Sequence, residues 1–285
     1  MVNVALAFRE MHQNSTPLRL PNAWDAGSAR IFEDLGAPAI ATTSAGVSWA
    51  FGYPDGNVLP VRLLAELTAN IVRVIRIPLS VDVEAGYAQD PANVGEVLKP
   101  VLAAGPVGIN IEDGKDAPEV LATKIESIRK SAAQLGVELF INARTDVYLQ
   151  ELVPEERRVE ETYQRASRYR SAGADGLFVP ALVKPKEITM IAQEIQMPLN
   201  VLAWPGLPKA DVLGELGVRR LSAGPGIPQV LWQHAAELAR HFLETGDSKA
   251  MSKGYMAHGK LQQLFAGRWP HYLGAKAEAG PATIA

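Results

Sequence analysis

The stretch LSVDVEAGY, residues 79–87, ends a short apolar run with two carboxylates, Asp82 and Glu84, two positions apart. In an extended strand that spacing puts both side chains on one face. Two later runs end in the same way. GINIEDG, residues 108–114, closes on Glu112 and Asp113, and LFINARTD, residues 139–146, closes on Arg144 and Asp146. Three successive β-like runs that deliver acid or guanidinium at their C-terminal ends point to an active site along one edge of a parallel sheet.

Reading outward from these runs, short apolar or β-branched segments are predicted as strands at 18–20, 39–42, 79–83, 108–111, 138–142, 176–179, 199–202 and 219–222. Between and after them, amphipathic spacing predicts helices at 26–35, 61–76, 91–104, 118–135, 154–172, 185–194, 208–216 and 225–244. Several of these helices open on proline, where the missing N–H is one the first turn leaves unpaired anyway. Many close on glycine just before the next strand, as in LGAP (35–38), LGV (135–137) and LGV (216–218). Eight β/α units in one chain predict a (β/α)8 TIM-type barrel over residues 1–246, with a doubly wound open sheet as the weaker alternative. Residues 247–285 are expected to form a C-terminal helical extension, helical near 253–265, that ends in the frayed tail KAEAGPATIA.

Composition narrows the function. The chain has 285 residues, 47% hydrophobic and 21% charged, which fits an ordinary globular domain. A net charge of −3 without a long basic run gives no footprint for nucleic acid. No signal peptide or membrane span is legible, so a cytoplasmic location is expected. The chain has no cysteine, which removes disulfides, thiolate metal sites and cysteine nucleophiles together. Its five histidines, at 12, 234, 241, 258 and 271, are never spaced as ligands at a strand end.

In a barrel, the loops after the strands build the site. Asp82, Glu84 and Glu112, from neighbouring strands, could converge on one hard cation, with Mg2+ or Mn2+ better suited to oxygen ligands than Zn2+. Solvated strand ends paired with lysine or arginine are the alternative. Arg144 could neutralise an anionic substrate or a developing enolate, or form a structural ion pair with Asp146 or Glu112. The segment ATTSAGVSWAFGYPDGN, residues 41–57, reads either as a tight turn or as a cradle of backbone N–H groups for an oxyanion. Asp55 sits within its turn chemistry. SAGPGIP, residues 222–228, reads as a glycine turn before a proline-started helix or as an anion site.

Taken in order, LPNAWDAGSARIFEDLGAPAIATTSAG, GYPDGN, VDVEAGY, GINIEDG and NARTD resemble the isocitrate lyase/phosphoenolpyruvate mutase superfamily, from about residue 18 to residue 230. The resemblance implies a modified (β/α)8 barrel that uses Mg2+ to bind a 2-oxo or 2-hydroxy acid and to make or break the bond beside its enolate. It implies Asp82 as the direct metal ligand, with Glu84 and Glu112 acting through metal-bound water. It also implies Arg144 as a substrate contact, the amides of Ser44, Ala45 and Gly46 as the oxyanion cradle, and a catalytic role for Asp55 as well as for Arg144 and Glu112. Trp24 and Asn142, at the ends of strands 1 and 5, complete the expected substrate-binding set.

Two departures narrow the reading. After Glu112 the chain reads DGKDAPEVLATKI, without the KKCGH loop of isocitrate and methylisocitrate lyases, and the gating segment is shorter than in the mutases and lacks their asparagine motif. What the resemblance then implies is a Mg2+-dependent lyase or decarboxylase for a small 2-oxo acid such as oxaloacetate or a substituted malate. C–P chemistry of the phosphonopyruvate hydrolase or mutase type and non-catalytic binding of a 2-oxo acid remain the alternatives. An apolar face in GYMAHGKLQQLF, residues 254–265, suggests a homodimer or homotetramer.

Overall fold

Residues 3–266 are described by the computed structural model. The tail KAEAGPATIA and His271 lie outside them. The strands are β1 (Leu18–Leu20), β2 (Asn22–Ala23), β3 (Ile40–Thr42), β4 (Leu79–Asp82), β5 (Gly108–Glu112), β6 (Phe140–Arg144), β7 (Gly176–Val179), β8 (Leu199–Leu202) and β9 (Val218–Ser222). All pair in parallel, in the order β1-β9-β8-β7-β6-β5-β4-β3-β2. The two ends of this sheet are consecutive in the chain. β1 pairs with β9, β2 pairs with β3, and only Pro21 separates them. Proline has no N–H to give to a ladder, so the strand expected at 18–20 stops there and the chain resumes beyond it as β2, a piece that was not expected. The barrel closes across the split, with Ala223 N donating to Leu20 O at 3.0 Å and Ala41 N to Pro21 O at 3.4 Å. The fold is therefore the expected TIM-type α/β barrel, with one strand in two pieces.

Strand ends shift by one or two residues from the sequence expectation, and one shift matters. The run expected at 138–142 is β6, which starts at Phe140 and continues to Arg144 because it stays in register with β5, Glu112 opposite Arg144. Period-2 alternation then turns Asn110 and Glu112 of β5, and Asn142 and Arg144 of β6, into the barrel. The residues between them, Ile109, Ile111, Ile141 and Ala143, are fully buried against the surrounding helices.

Those helices bury matching stripes. In α6 (Pro118–Leu135), Leu121, Ile125, Ile128 and Ala132 recur at helical spacing and face the core. Burying one such Leu or Ile contributes about 1.5–3 kcal/mol. Two helices were not expected. α1 (Val4–Met11) closes the N-terminal end of the barrel with Phe8, which packs edge-on to Phe140, while His12 stacks on the same ring. Gly108 makes room for this plug, since a Cβ there would stand 2.8 Å from the Phe8 ring. The other, α3 (Ser44–Ala50), replaces the tight turn expected after strand 2.

At the C-terminal side, α10 (Gly226–Thr245) buries only Pro228 and leaves Val230, Leu231, Trp232, Phe242 and Leu243 exposed. α11 (His258–Phe265) returns to α2 (Ala26–Asp34), where Leu264 O accepts from Arg30 Nε at 3.2 Å. No helix among the described residues is long and apolar enough to cross a membrane.

Candidate active site

β4, β5 and β6 deliver the three expected groups to the C-terminal mouth of the barrel, and each is held by a neighbour. Asp82 ends β4; its amide donates to Thr42 Oγ1 at 2.8 Å and its Oδ1 accepts the Glu84 amide at 3.1 Å. Glu112 Oε2 meets Arg144 Nη1 at 2.6 Å. Arg144 also grips Asp146 with two bonds, Nε to Oδ1 at 2.7 Å and Nη2 to Oδ2 at 3.0 Å. The guanidinium thus faces two carboxylates in a fork geometry suited to them. Of the two alternatives for Arg144, the structural ion pair is formed, and the guanidinium also lines the cavity.

Asp113 serves as a clamp behind the site. Fully buried, it accepts from the Asp146 amide at 2.8 Å, Arg165 Nη1 at 2.8 Å and Tyr169 Oη at 2.6 Å. This ties the loops after β5 and β6 to α7 (Arg158–Ser171), on which Arg165 and Tyr169 stand.

Glu84 is not on the Asp82 face. β4 stops at Asp82, and Glu84 takes φ +50° in the turn that follows, so strand alternation no longer applies. The residue is 2% exposed and both carboxylate oxygens are engaged: Oε2 accepts the amides of Gly56, at 2.8 Å, and Asn57, and Oε1 accepts Tyr87 Oη at 2.5 Å. Asn57 answers with its own Oδ1, which accepts the amides of Ala85 and Tyr87. Glu84 therefore fastens the GYPDGN loop to the β4 turn and so places Asp55, whose carboxylate is hydrogen-bonded to Ser44.

Asp55, Asp82 and Arg144 line one cavity of about 260 Å³. Its polar side is completed by Asn22, Thr43, Ser44, Ala45, Asn110 and Ser222. Ser44, Ala45 and Gly46 form the first turn of α3, whose amides precede the first helical bond, Val47 N to Thr43 O. These are the donors that a helix start leaves for an anion. Gly46 itself is a packing position. A Cβ there would lie 2.8 Å from Thr43 Cγ2 and 3.0 Å from Trp24 Cβ. Trp24 packs edge-on to Phe32 instead of lining the cavity, and Asn142 is one step removed, donating to Asn110 Oδ1 at 2.9 Å. The opposite side is apolar: Leu149, Phe178, Pro180, Leu202, Trp204 and Pro225. Sequence reading missed this wall because apolar strand ends look like core. It also missed Asn110, which alternation from Glu112 would have turned inward.

A second cleft, of about 390 Å³, opens at the N-terminal ends of the strands between α1, Val72 and Val137. It is lined mainly by apolar residues and none of the strand-end carboxylates reaches it.

Burial sets the charge states at the mouth. It pushes the Asp82 carboxyl up to about 6, against the pull of Arg144. Glu112 is raised for the same reason and against the same pull. Asp55 is raised by burial and then by the Glu84 charge. Burial works against the charge of Arg144, but Glu112 and Asp146 outweigh it and keep the guanidinium protonated.

Among the described residues no three histidine, cysteine or carboxylate side chains are grouped as a metal cage, although Glu112 feels the charges of both Asp82 and Glu84. Both oxygens of Glu84 are engaged, by the amides of Gly56 and Asn57 and by Tyr87, and Glu112 is engaged by Arg144. Asp82 nevertheless fits a hard cation. With one oxygen on the Glu84 amide, it has its second for a ligand in the cavity, and Mg2+ typically takes one or two carboxylates and fills its sphere with water and substrate oxygens.

A family model described as phosphoenolpyruvate phosphomutase matches residues 8–243. The chain belongs to the phosphoenolpyruvate phosphomutase family. It is 37% identical over 254 residues to an uncharacterized protein of Mycobacterium tuberculosis, covering 88% of this chain and 93% of that one. It is 38% identical to a Burkholderia cenocepacia J2315 protein of known structure, provisionally called a phosphonomutase, with a TM-score of 0.79, covering 84% of this chain and all of that one. An oxaloacetate decarboxylase of Pseudomonas fluorescens is 29% identical over 233 residues, 77% of this chain and 78% of that one. At 20% identity and a TM-score of 0.80, covering 93% and 95% of the two chains, a phosphonopyruvate hydrolase solved with oxalate and Mg2+ shares the fold.

Proposed function

We propose that the protein is a Mg2+-dependent lyase that cleaves the C–C bond beside the 2-oxo group of a small 2-oxo or 2-hydroxy acid, of the oxaloacetate or substituted-malate kind, through an enolate. The observation that carries this reading is the convergence of Asp82, Arg144, Asp55 and the start of α3 on one cavity of about 260 Å³. When bound, Mg2+ supplies a Lewis acid for the substrate's carboxylate and 2-oxo oxygens, and Asp82 is the side chain that would hold it.

The other steps fall to the protein. Arg144, fixed by Glu112 and Asp146, offers its guanidinium to the oxygen on which charge grows as the bond breaks. The Ser44 and Ala45 amides add the positive end of α3. Asp55, with its raised carboxyl and its bond to Ser44, moves the proton: it accepts one from a 2-hydroxy substrate or returns one to the enolate carbon. The apolar wall shields the enolate from water.

Among the residues lining the cavity Arg144 is the one cation. A phosphonate dianion would meet apolar groups on the far wall, which favours C–C over C–P cleavage. The test is a panel of 2-oxo and 2-hydroxy diacids incubated with the protein and Mg2+. Release of pyruvate or a homologous 2-oxo acid is expected. Tight binding of the panel without turnover, unaffected by Asp55→Ala, would make the protein a 2-oxo acid binder instead.

We also propose that α10 joins subunits in a homodimer or homotetramer, because Leu243 is 83% exposed, Val230 69%, and Leu231, Trp232 and Phe242 47% each. A monomeric mass in light scattering at micromolar concentration would overturn this.

A further inference from the structure

β9 sends one more cation into the barrel. Arg220 is 0% exposed, and its Nη2 crosses the interior to Asn110 Oδ1 on β5, at 3.2 Å. Its Nε lies 3.4 Å from Ser222 Oγ, and among the described residues its Nη1 has no partner. No ion pair to a carboxylate is formed by it there, although a buried charge without one is costly. The nearest help is at a distance: burial lowers the Arg220 pKa to about 9 while the Asp82 charge raises it, so the guanidinium stays protonated at neutral pH. His12, on the other side, brings no negative charge. Burial and Arg220 push it down to about 3, so it is neutral.

Both of Arg220's partners, Asn110 and Ser222, line the cavity, whereas Arg220 lies beneath them. Ser222 Oγ donates to Asn200 Oδ1 at 3.2 Å, so Asn110 is the partner with a donor to spare. Asn110 Oδ1 already accepts from Asn142 and Arg220, which turns its Nδ2 donor away from them and leaves it for a ligand. The mouth above is crowded with negative charge, since Asp55, Asp82, Glu112 and Asp146 surround the single guanidinium of Arg144. An anionic substrate entering there needs positive charge that is not already paired.

We propose that Arg220 is a positioning residue for the substrate anion: from beneath the cavity floor it fixes the Asn110 amide as a ligand contact and supplies the unpaired positive charge that lets an anion bind among these carboxylates. This rests on the reading of the cavity as a Mg2+ and 2-oxo acid site.

The test is titration calorimetry on the full chain with two probes, Mg2+ alone and oxalate in saturating Mg2+, with thermal unfolding as the check on folding. Arg220→Met is expected to weaken oxalate by about tenfold or more, as for a lost hydrogen bond to a charged group. It should tighten Mg2+, because a repelling charge is gone. Arg220→Lys keeps the charge, so Mg2+ affinity should stay within twofold while oxalate still weakens. A merely structural role would move the two probes in the same direction. If Arg220→Met does not fold, Asn110→Ser, which removes the amide that Arg220 orients, is expected to weaken oxalate severalfold and leave Mg2+ unchanged. Oxalate affinity within twofold of wild type in the folded variants would overturn the inference and leave the proposed function standing. Failure of the wild-type protein to bind oxalate with Mg2+ would sink both.

Discussion

The two walls of the cavity are built by opposite rules. On the β4–β6 side the charged groups are tied in a chain: Arg144 to Glu112 and Asp146, Asp146 to Asp113, and Asp113 to Arg165 and Tyr169. On the β7–β8 side Phe178, Pro180, Leu202 and Trp204 offer only apolar surface, and Trp204 is 42% exposed. A wall whose charges are fixed before the substrate arrives can stabilise developing charge without reorganising, which is where electrostatic catalysis gains most. A wall of apolar side chains discriminates by shape alone, and weakly. The first wall therefore carries the reaction and the second the choice of substrate.

The largest break in this contrast should come from the charged wall. Asp82→Asn is expected to lower kcat by about 1000-fold in steady-state assays with Mg2+, at the upper end for loss of one charge-stabilising group. Asp55→Asn should cost about 100-fold in kcat with little change in KM, as for loss of a proton-transfer group. A larger rise in KM than fall in kcat would place Asp55 in binding. The apolar wall should respond differently. Leu202→Ala is expected to leave kcat for the smallest substrate nearly intact while shifting kcat/KM by about tenfold between substrates that differ by one methyl group.

The smallest effect concerns pH. The folded Asp82 carboxyl, raised to about 6, keeps its proton where the unfolded one has lost it. Its contribution to stability is thus fully present below about pH 4 and is lost as pH rises through about 6. Asp82 is half-buried, and solvent screening at such a site reduces the change to about 1 kcal/mol. Thermal unfolding without metal should show Asp82→Asn removing that part of the slope. An unchanged slope would show that Asp82 is not desolvated.

The sequence made the charged wall legible because strand ends carry acids and guanidinium in a repeating pattern, and period-2 alternation needs no tertiary information. It failed where the backbone left the strand. The positive φ of Glu84 turned an expected neighbour of Asp82 into the fastener of the Asp55 loop. The helix at Ser44 was hidden by a segment of small residues that suits a turn equally well. Arg220 was missed for another reason: alternation from Ser222 would have turned it inward, but its reach to Asn110 across the barrel needs the tertiary structure. The apolar wall could not be told from core without knowing which strand ends surround the cavity.

The central claim is that the charged wall binds a 2-oxo acid through a cation held by Asp82. Oxalate titrated into the wild-type protein, with and without Mg2+, tests it most directly. Binding that requires Mg2+ and is lost in Asp82→Asn is the predicted result. Equal binding of oxalate with and without the metal, or full binding by Asp82→Asn, would contradict it.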